Sequence, residues 1–343
     1  MIFLTLIDRE GMVNTRVLSR KIILSKTFDI YNFKYKPPIK KDLAVCFVYF
    51  NAAKSKRILM NYLYVVEKLK IADIPFFTIE MFITTPEIKD AVHLKTDCIL
   101  FQKERMTSIL EKYIPSSFTK LVFLDADLIF DNMNWYNDLS KALNHYTICH
   151  VFTKCLRLDI TYSNIMDERL SFVIKRYLNH KKEVDGIPMF PDPINGDVKF
   201  VGKDKIQFVP GGGWGFQRDW FKKIGFFEDD ILGGSDTYSV QSWNIIPDNY
   251  VYPQFIKNSI QKYKKLIAKN GSPSVTYLKG NVYHLWHGDL KKKQYKTRKN
   301  IFTNVKDIKD IIKPARNGLF ELKNKTLKKR LCTYFEDRDD DGI

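Results

Sequence analysis

The chain has 343 residues, 45% hydrophobic and 14% aromatic, with 56 Lys+Arg against 39 Asp+Glu for a formal net charge of +17. That apolar content excludes a disordered chain, and 16 Gly and 13 Pro scattered without period exclude collagen-like and low-complexity classes. Only 13 of the 56 cations are arginine, the better base reader and planar phosphate clamp, so the charge reads as a solvated lysine surface and argues against nucleic acid as a partner.

Residues 1–41 read as an N-terminal extension ending in Lys36-Pro37-Pro38-Ile39-Lys40-Lys41, where two prolines forbid regular pairing. Met1 to Ile7 is apolar, but Asp8, Arg9 and Glu10 interrupt it before the ~7–15 residues of a secretory core. No run approaches the ~18 residues of a membrane-spanning helix, so a cytoplasmic protein with no transmembrane segment is expected. The main domain is expected over 42–302. Leu43 to Phe50 is apolar throughout, the pattern of a strand buried on both faces of a parallel sheet. Asn51 to Lys56 makes the turn, and Ile58, Leu59, Tyr62, Leu63, Val66 and Leu69 then recur at helical spacing. Phe76 to Ile83 predicts a second strand, Gln102 to Tyr113 a helix ended before Pro115, and Leu121 to Leu124 a third strand. This alternation implies right-handed parallel crossovers and a doubly wound α/β sheet.

Further on, the pattern predicts a helix over Asp167 to Asn179, a polar loop over Glu183 to Lys199 suited to an acceptor lid, and a strand over Ile206 to Val209. A tight turn at Pro210 to Gly215, a short helix over Gln217 to Ile224, a helix over Pro253 to Ala268 and late strands at Val275 to Leu278 and Asn281 to His287 complete the domain. Residues 303–343 read as a helical, charged tail. The five cysteines include no C-x-x-C pair and sit in apolar runs, which points to reduced core thiols.

Three constellations carry chemistry. Asp125-Ala126-Asp127 follows a buried strand, at the sheet edge where open α/β folds bind ligands. Two acids so close repel unless a divalent cation keeps both ionised. The second constellation is Pro210-Gly211-Gly212-Gly213-Trp214-Gly215, followed by Gly233-Gly234-Ser235-Asp236. Glycines let a backbone approach a ligand, an exposed Trp214 would stack on a sugar ring, and Asp236 could take a proton from a hydroxyl. Glu228, Asp229 and Asp230 read as a solvated acidic turn. The third is His284-Leu285-Trp286-His287-Gly288, with Lys291, Lys292, Lys293, Lys296, Arg298 and Lys299 behind it. On a strand through His287 the two imidazoles face opposite sides and cannot share one ion, so His287, beside the Gly turn, is the expected ligand. Gln102-Lys103-Glu104-Arg105, at a helix start, would hold a nucleotide or a structural ion pair.

In that order along the chain, these segments resemble a metal-dependent nucleotide-sugar glycosyltransferase of the GT-A fold. Gly213 to Arg218 and Phe227 to Asp236 are similar to the C-terminal segment of galactosyltransferases, with Ser235 where that family has an acid. Gln102 to Arg105, Leu124 to Asp127 with Trp135, and His284 to Gly288 with Tyr295 and Arg298 also resemble a group of uncharacterised viral and bacterial glycosyltransferases. The likeness covers residues 43–300, and a viral origin would place the protein in the host cytoplasm. It implies a single GT-A domain, a doubly wound mixed sheet flanked by helices, using a nucleoside-diphosphate sugar, with UDP the expected nucleotide, and Mn2+ or Mg2+. Asp125, Asp127 and His287 would hold the metal, with Asp125 also reaching the ribose. Phe50, Asn51 and Lys103 would receive the nucleotide, and Lys291 and Lys293 its diphosphate. Gly213, Trp214 and Gly234 would bind the acceptor, a glycan, glycoprotein or other hydroxyl compound. Asp236 would act as base, with inversion at the anomeric carbon. A nucleotidyltransferase, a basic nucleic-acid-binding protein and a structural protein are the alternatives.

Overall fold

The first apolar run forms the centre of the sheet. In the computed structural model, which describes residues 30–174, 207–243, 245, 252–288 and 298–336, β1 spans Leu43–Phe50 inside a seven-stranded sheet. Its side chains alternate between two cores: Leu43, Val45, Phe47 and Tyr49 enter one, Ala44 and Cys46 the other. Burial on both faces explains why no position of β1 is polar. Ser55 caps α1 (Lys56–Ile71) by accepting from the Ile58 N–H at 3.1 Å, and Tyr62, Val65, Val66 and Leu69 bury beneath it.

β2 (Phe76–Phe82), β3 (Val92–Lys95), α2 (Lys103–Glu111) and β4 (Lys120–Leu124) follow. β1 pairs in parallel with β2 and β4, and β2 with β3, which is the doubly wound half expected. The edge strand β3 was not expected, because Val92-His93-Leu94-Lys95 alternates over only four residues.

Next come β5 (Leu128–Phe130), α3 (Trp135–Ala142), β6 (Ile148–His150), β7 (Lys154–Leu158), β8 (Ile165–Ser171), β9 (Phe208–Val209) and β10 (Gly213–Gln217). Two expectations fail here. The glycine run is not all turn: Gly213 to Gln217 runs antiparallel between β4 and β6 at the middle of the sheet. A Cβ on Gly213 would lie 2.6 Å from both Leu124 and Val151, so the glycine admits close strand and side-chain packing rather than a ligand. Of the helix expected over Asp167 to Asn179, residues 167–171 belong instead to strand β8, pinned where Arg157 Nη1 donates to Asp167 Oδ2 at 2.9 Å across the β7–β8 hairpin, residues 172–174 are helical as expected, and 175–179 lie outside the described residues. The Glu183–Lys199 stretch lies outside the described residues.

The chain continues through α4 (Arg218–Lys223), α5 (Ser235–Ser242), α6 (Lys257–Asn270), β11 (Val275–Tyr277) and β12 (Asn281–His284). The main sheet has the order β11-β6-β10-β4-β1-β2-β3, and a second sheet the order β5-β12-β7-β8-β9. This is the mixed sheet flanked by helices that was expected. After it, α7 (Ile308–Ile311), the hairpin β13 (Ile312–Pro314) and β14 (Phe320–Leu322), and α8 (Lys325–Glu336) bury Ile308, Leu319, Phe320, Leu327, Leu331 and Tyr334 in the core that contains Ala44. At the other end, Ile30 and Tyr35 are buried in the opposite core, with Ile30 O accepting from Tyr64 OH at 2.9 Å. No helix among the described residues is long and apolar enough to cross a membrane. All five cysteines are free thiols.

Candidate active site and metal centre

The carboxyl ends of β1 and β4 open into a cleft of about 530 Å³. β4 delivers Asp125 and Asp127 to its floor, and β12, paired with β5 and β7, brings in His284. β12 ends at His284, so Leu285, Trp286 and His287 turn off the strand and the odd spacing no longer separates the two imidazoles. Asp127 Oδ2 lies 3.1 Å from His287 Nε2 and 3.6 Å from His284 Nε2. Ligand atoms of all three side chains fall within 4.8 Å of one another. The expectation that only His287 could serve is therefore corrected: His284 joins it.

Asp125 does not join that group. Its Oδ1 takes the Lys103 ammonium from the start of α2. Burial alone would push the Lys103 ammonium down, but the charges of Asp125 and Glu104 hold it above its ordinary value. Glu104 lines the same cleft and is 5% exposed; burial first, and the charge of Asp236 next, push its carboxyl up to about 8. Arg105 turns away from the cleft and pairs with Glu228 at 2.6 Å. The Gln102–Arg105 motif thus divides its work, with Lys103 and Glu104 in the cleft and Gln102 and Arg105 structural. Gln102 Oε1 accepts from Phe320 N at 2.7 Å and so ties α2 to the C-terminal hairpin.

Asp236 stands in the first turn of α5 and faces Gly211 so closely that a Cβ there would be 2.6 Å from its Oδ2. Its carboxyl is raised by burial, against the Thr237 N–H and the Lys103 charge. Gly233 and Gly234, at φ 82° and 130°, form the turn before it, and Arg298 Nη2 donates to Gly233 O at 2.6 Å. Asp230 departs from the solvated acidic turn expected of it: it is fully buried, accepts from Leu232 N at 2.9 Å and lies 3.7 Å from Lys299 Nζ.

Phe50 lines the cleft edge-on to Phe101, with ring centroids 5.2 Å apart. Asn51 does not face it: its Oδ1 accepts from Ser55 N at 2.8 Å and its Nδ2 donates to Ser55 O at 2.9 Å, closing the β1–α1 turn. Trp214 is 2% exposed, not an open stacking face. It stacks on His150 with centroids 4.0 Å apart and donates from Nε1 to Pro210 O at 2.8 Å. Gly213 is likewise interior, while Gly234 lines the cleft. Lys291, Lys293 and Tyr295 lie outside the described residues.

Sequence reading missed His150, whose ring is fully buried and bridges Ser171 Oγ at 2.7 Å and Gly211 O at 3.0 Å. Burial pushes it down to about 3, so it is neutral and fixes the peptide facing Asp236. Nothing in Cys149-His150-Val151 signals this, because the partners are remote in sequence. The carboxylate and two imidazoles fit a divalent transition ion better than Mg2+, which prefers oxygen donors.

No family model matches the chain, and no curated protein matches it. Among solved structures it is similar to a Drosophila β-1,4-galactosyltransferase 7 mutant in complex with manganese, UDP-Gal and xylobiose. That likeness has 12% identity and a TM-score of 0.39 over 84% of this chain and 98% of that one. A glucosyl-3-phosphoglycerate synthase from Mycobacterium tuberculosis, in complex with Mn2+, UDP-glucose and phosphoglyceric acid, matches at 12% identity and TM-score 0.34 over 77% of this chain and 78% of that one. The 4-diphosphocytidyl-2C-methyl-D-erythritol synthase of Anaerococcus prevotii matches at 9% identity and TM-score 0.31 over 73% and 89%. At such scores the likenesses carry no weight for function, which rests on the cleft itself.

Proposed function

We propose that the chain is a metal-dependent glycosyltransferase that moves a sugar from a nucleoside diphosphate, with UDP the expected nucleotide, to an acceptor hydroxyl with inversion. The observation that carries this reading is the convergence of Asp127, His284 and His287 in one cleft with Asp236. Those three residues would hold Mn2+, which supplies the Lewis acid that neutralises charge developing on a departing diphosphate. Phe50 and Phe101 offer the nucleobase an apolar wall. Lys103, which pairs with Asp125 in the cleft, would contact the nucleotide. Asp236, its carboxyl raised by burial and so more basic than a solvated one, would take the proton from the acceptor hydroxyl. Its carboxylate is kept in place by the missing side chain of Gly211 and by its bond from Thr237 N at 2.6 Å. Gly234 leaves room for the acceptor beside it.

The test is a hydrolysis screen of the purified protein with a panel of nucleotide sugars, with and without Mn2+, reading released nucleoside diphosphate. Metal-dependent release from one donor, lost in Asp127→Ala and His287→Ala, is the expected result. Release of pyrophosphate from a nucleoside triphosphate and a sugar phosphate instead would assign a nucleotidyltransferase, and no release of either kind would overturn the enzyme reading.

A further inference from the structure

Asn61 lies on the inner side of α1, 2% exposed, and its amide is used at both ends. Its Nδ2 donates at 3.1 Å to the carbonyl of Trp286, the peptide between His284 and His287. Its Oδ1 accepts from Tyr162 OH at 2.5 Å, and Arg57, one turn earlier on α1, donates from Nη1 to the same hydroxyl at 3.2 Å. The Arg57 guanidinium also covers the Tyr162 ring at 5.3 Å and the Trp286 indole at 5.5 Å.

Tyr162 sits at the tip of the β7–β8 hairpin with φ 58°, a left-handed conformation that a bulky residue keeps only when its surroundings over-determine it. Asp159 supplies part of that hold, its Oδ1 accepting from Thr161 N at 3.1 Å, Thr161 Oγ1 at 2.8 Å and Ser163 N at 3.1 Å. Tyr162 N also donates to Asp159 O at 3.0 Å, and the hydroxyl's bonds to Asn61 and Arg57 add to the hold.

The path of the histidine turn is thus set from two sides. Leu285 N donates to Asp127 O at 2.8 Å from the side of β5, and Asn61 grips Trp286 O from the side of α1. Outer hydrogen bonds orient metal ligands, and losing a partner of the ligating side chain itself commonly costs ~10–100-fold in metal affinity; the bond to the Trp286 peptide acts on both imidazoles through the backbone that carries them.

We propose that Asn61 is a positioning residue of the metal centre. Oriented by Tyr162 and Arg57, it holds the Trp286 peptide so that His284 and His287 both converge on Asp127. This rests on the metal-centre reading above. Nothing in the sequence links these residues, since Asn61, Tyr162 and Trp286 come from three separate elements.

The experiment titrates the full chain with MnCl2 alone, following the electron paramagnetic resonance signal of free Mn2+, with thermal melting in EDTA to report the fold. The wild type is expected to bind one ion saturably, and Asn61→Leu to raise Kd about tenfold or more. Tyr162→Phe, which keeps the ring and removes only the hydroxyl that orients the amide, is expected to shift Kd in the same direction by less. Tyr136→Phe, which loses a 2.7 Å bond to Leu43 O far from the cleft, serves as control and should lower the melting temperature without changing Kd. If the wild type binds Mn2+ while folded Asn61→Leu and Tyr162→Phe both bind within twofold of it, the positioning role is wrong. Should Asn61→Leu fail to fold, Tyr162→Phe alone decides. A wild type that does not bind Mn2+ overturns the metal reading and this role together, a result distinct from the first.

Discussion

The cleft brings Lys103, Glu104, Asp125, Asp127 and Asp236 close together. Glu104 shows the cost: burial and the neighbouring Asp236 hold its carboxyl up to about 8, against an ordinary value of 4.5. The folded chain therefore binds this proton more tightly than the unfolded one. That contribution to stability is complete below the unfolded value and is lost as pH rises through the folded value, at about 1.4 kcal/mol for each tenfold difference in proton affinity between the two states. Glu104→Gln removes the penalty, so its melting temperature should match the wild type near pH 5 and exceed it at pH 8. A variant that melts at or below the wild type at pH 8 would show that Glu104 ionises freely in the fold. Trp214 teaches the opposite lesson at the same scale. A tryptophan among glycines is as compatible with a stacking platform as with a core, and only its place on β10, under His150, decides for the core.

Among the elements, the Gly211–Gly213 run does two jobs with adjacent residues. Gly211 makes room for the Asp236 carboxylate, the proposed base, and Gly213 for two packed side chains, so alanine at each should separate activity from stability. Gly211→Ala, whose Cβ would sit 2.6 Å from Asp236 Oδ2, is expected to lower turnover by an order of magnitude or more, with little change in melting temperature. Gly213→Ala, 2.6 Å from Leu124 Cδ2 and Val151 Cγ2, should destabilise by about 1–3 kcal/mol through overpacking. Equal melting temperatures for the two variants in a denaturation series would contradict this division. The elements that the sequence showed well were those with long, one-signal patterns: β1 with eight apolar residues, α1 with its capped amphipathic face, and β4 leading into Asp125. Strand β8 was misread because in Ile165-Met166-Asp167-Glu168-Arg169-Leu170-Ser171 only the last two residues are buried, leaving no period-two burial to detect.

For the whole molecule, the donor set makes a prediction about metal choice. One carboxylate and two imidazoles should favour Mn2+ over Mg2+. An ion that binds only the folded state stabilises by about 2.7 kcal/mol at a hundred times its Kd. Millimolar MnCl2 should therefore raise the melting temperature by several degrees and MgCl2 by much less, with EDTA reversing both. Equal shifts with the two ions, or with Asp127→Ala, would mean that the ion binds elsewhere. The C-terminal segment packs onto the strands: Leu327 and Leu331 of α8 share a core with them, and Gln102 bonds both backbone groups of Phe320.

What the sequence by itself determined is whatever depends on short-range periodicity: a buried parallel strand at Leu43 to Phe50, the crossover helices, and two carboxylates at the end of β4. Those follow because burial imposes a repeat of two or 3.6 on adjacent residues. What only the tertiary structure decided is which distant groups meet. His284 became a candidate ligand because β12 stops at that residue and the turn brings His287 back to Asp127. Asp125 was diverted to Lys103, Asn51 was consumed by its own turn, and Asn61 reached the Trp286 peptide from another element. Such contacts are fixed by strand order, register and the ends of elements, and none of these leaves a local repeat in the chain.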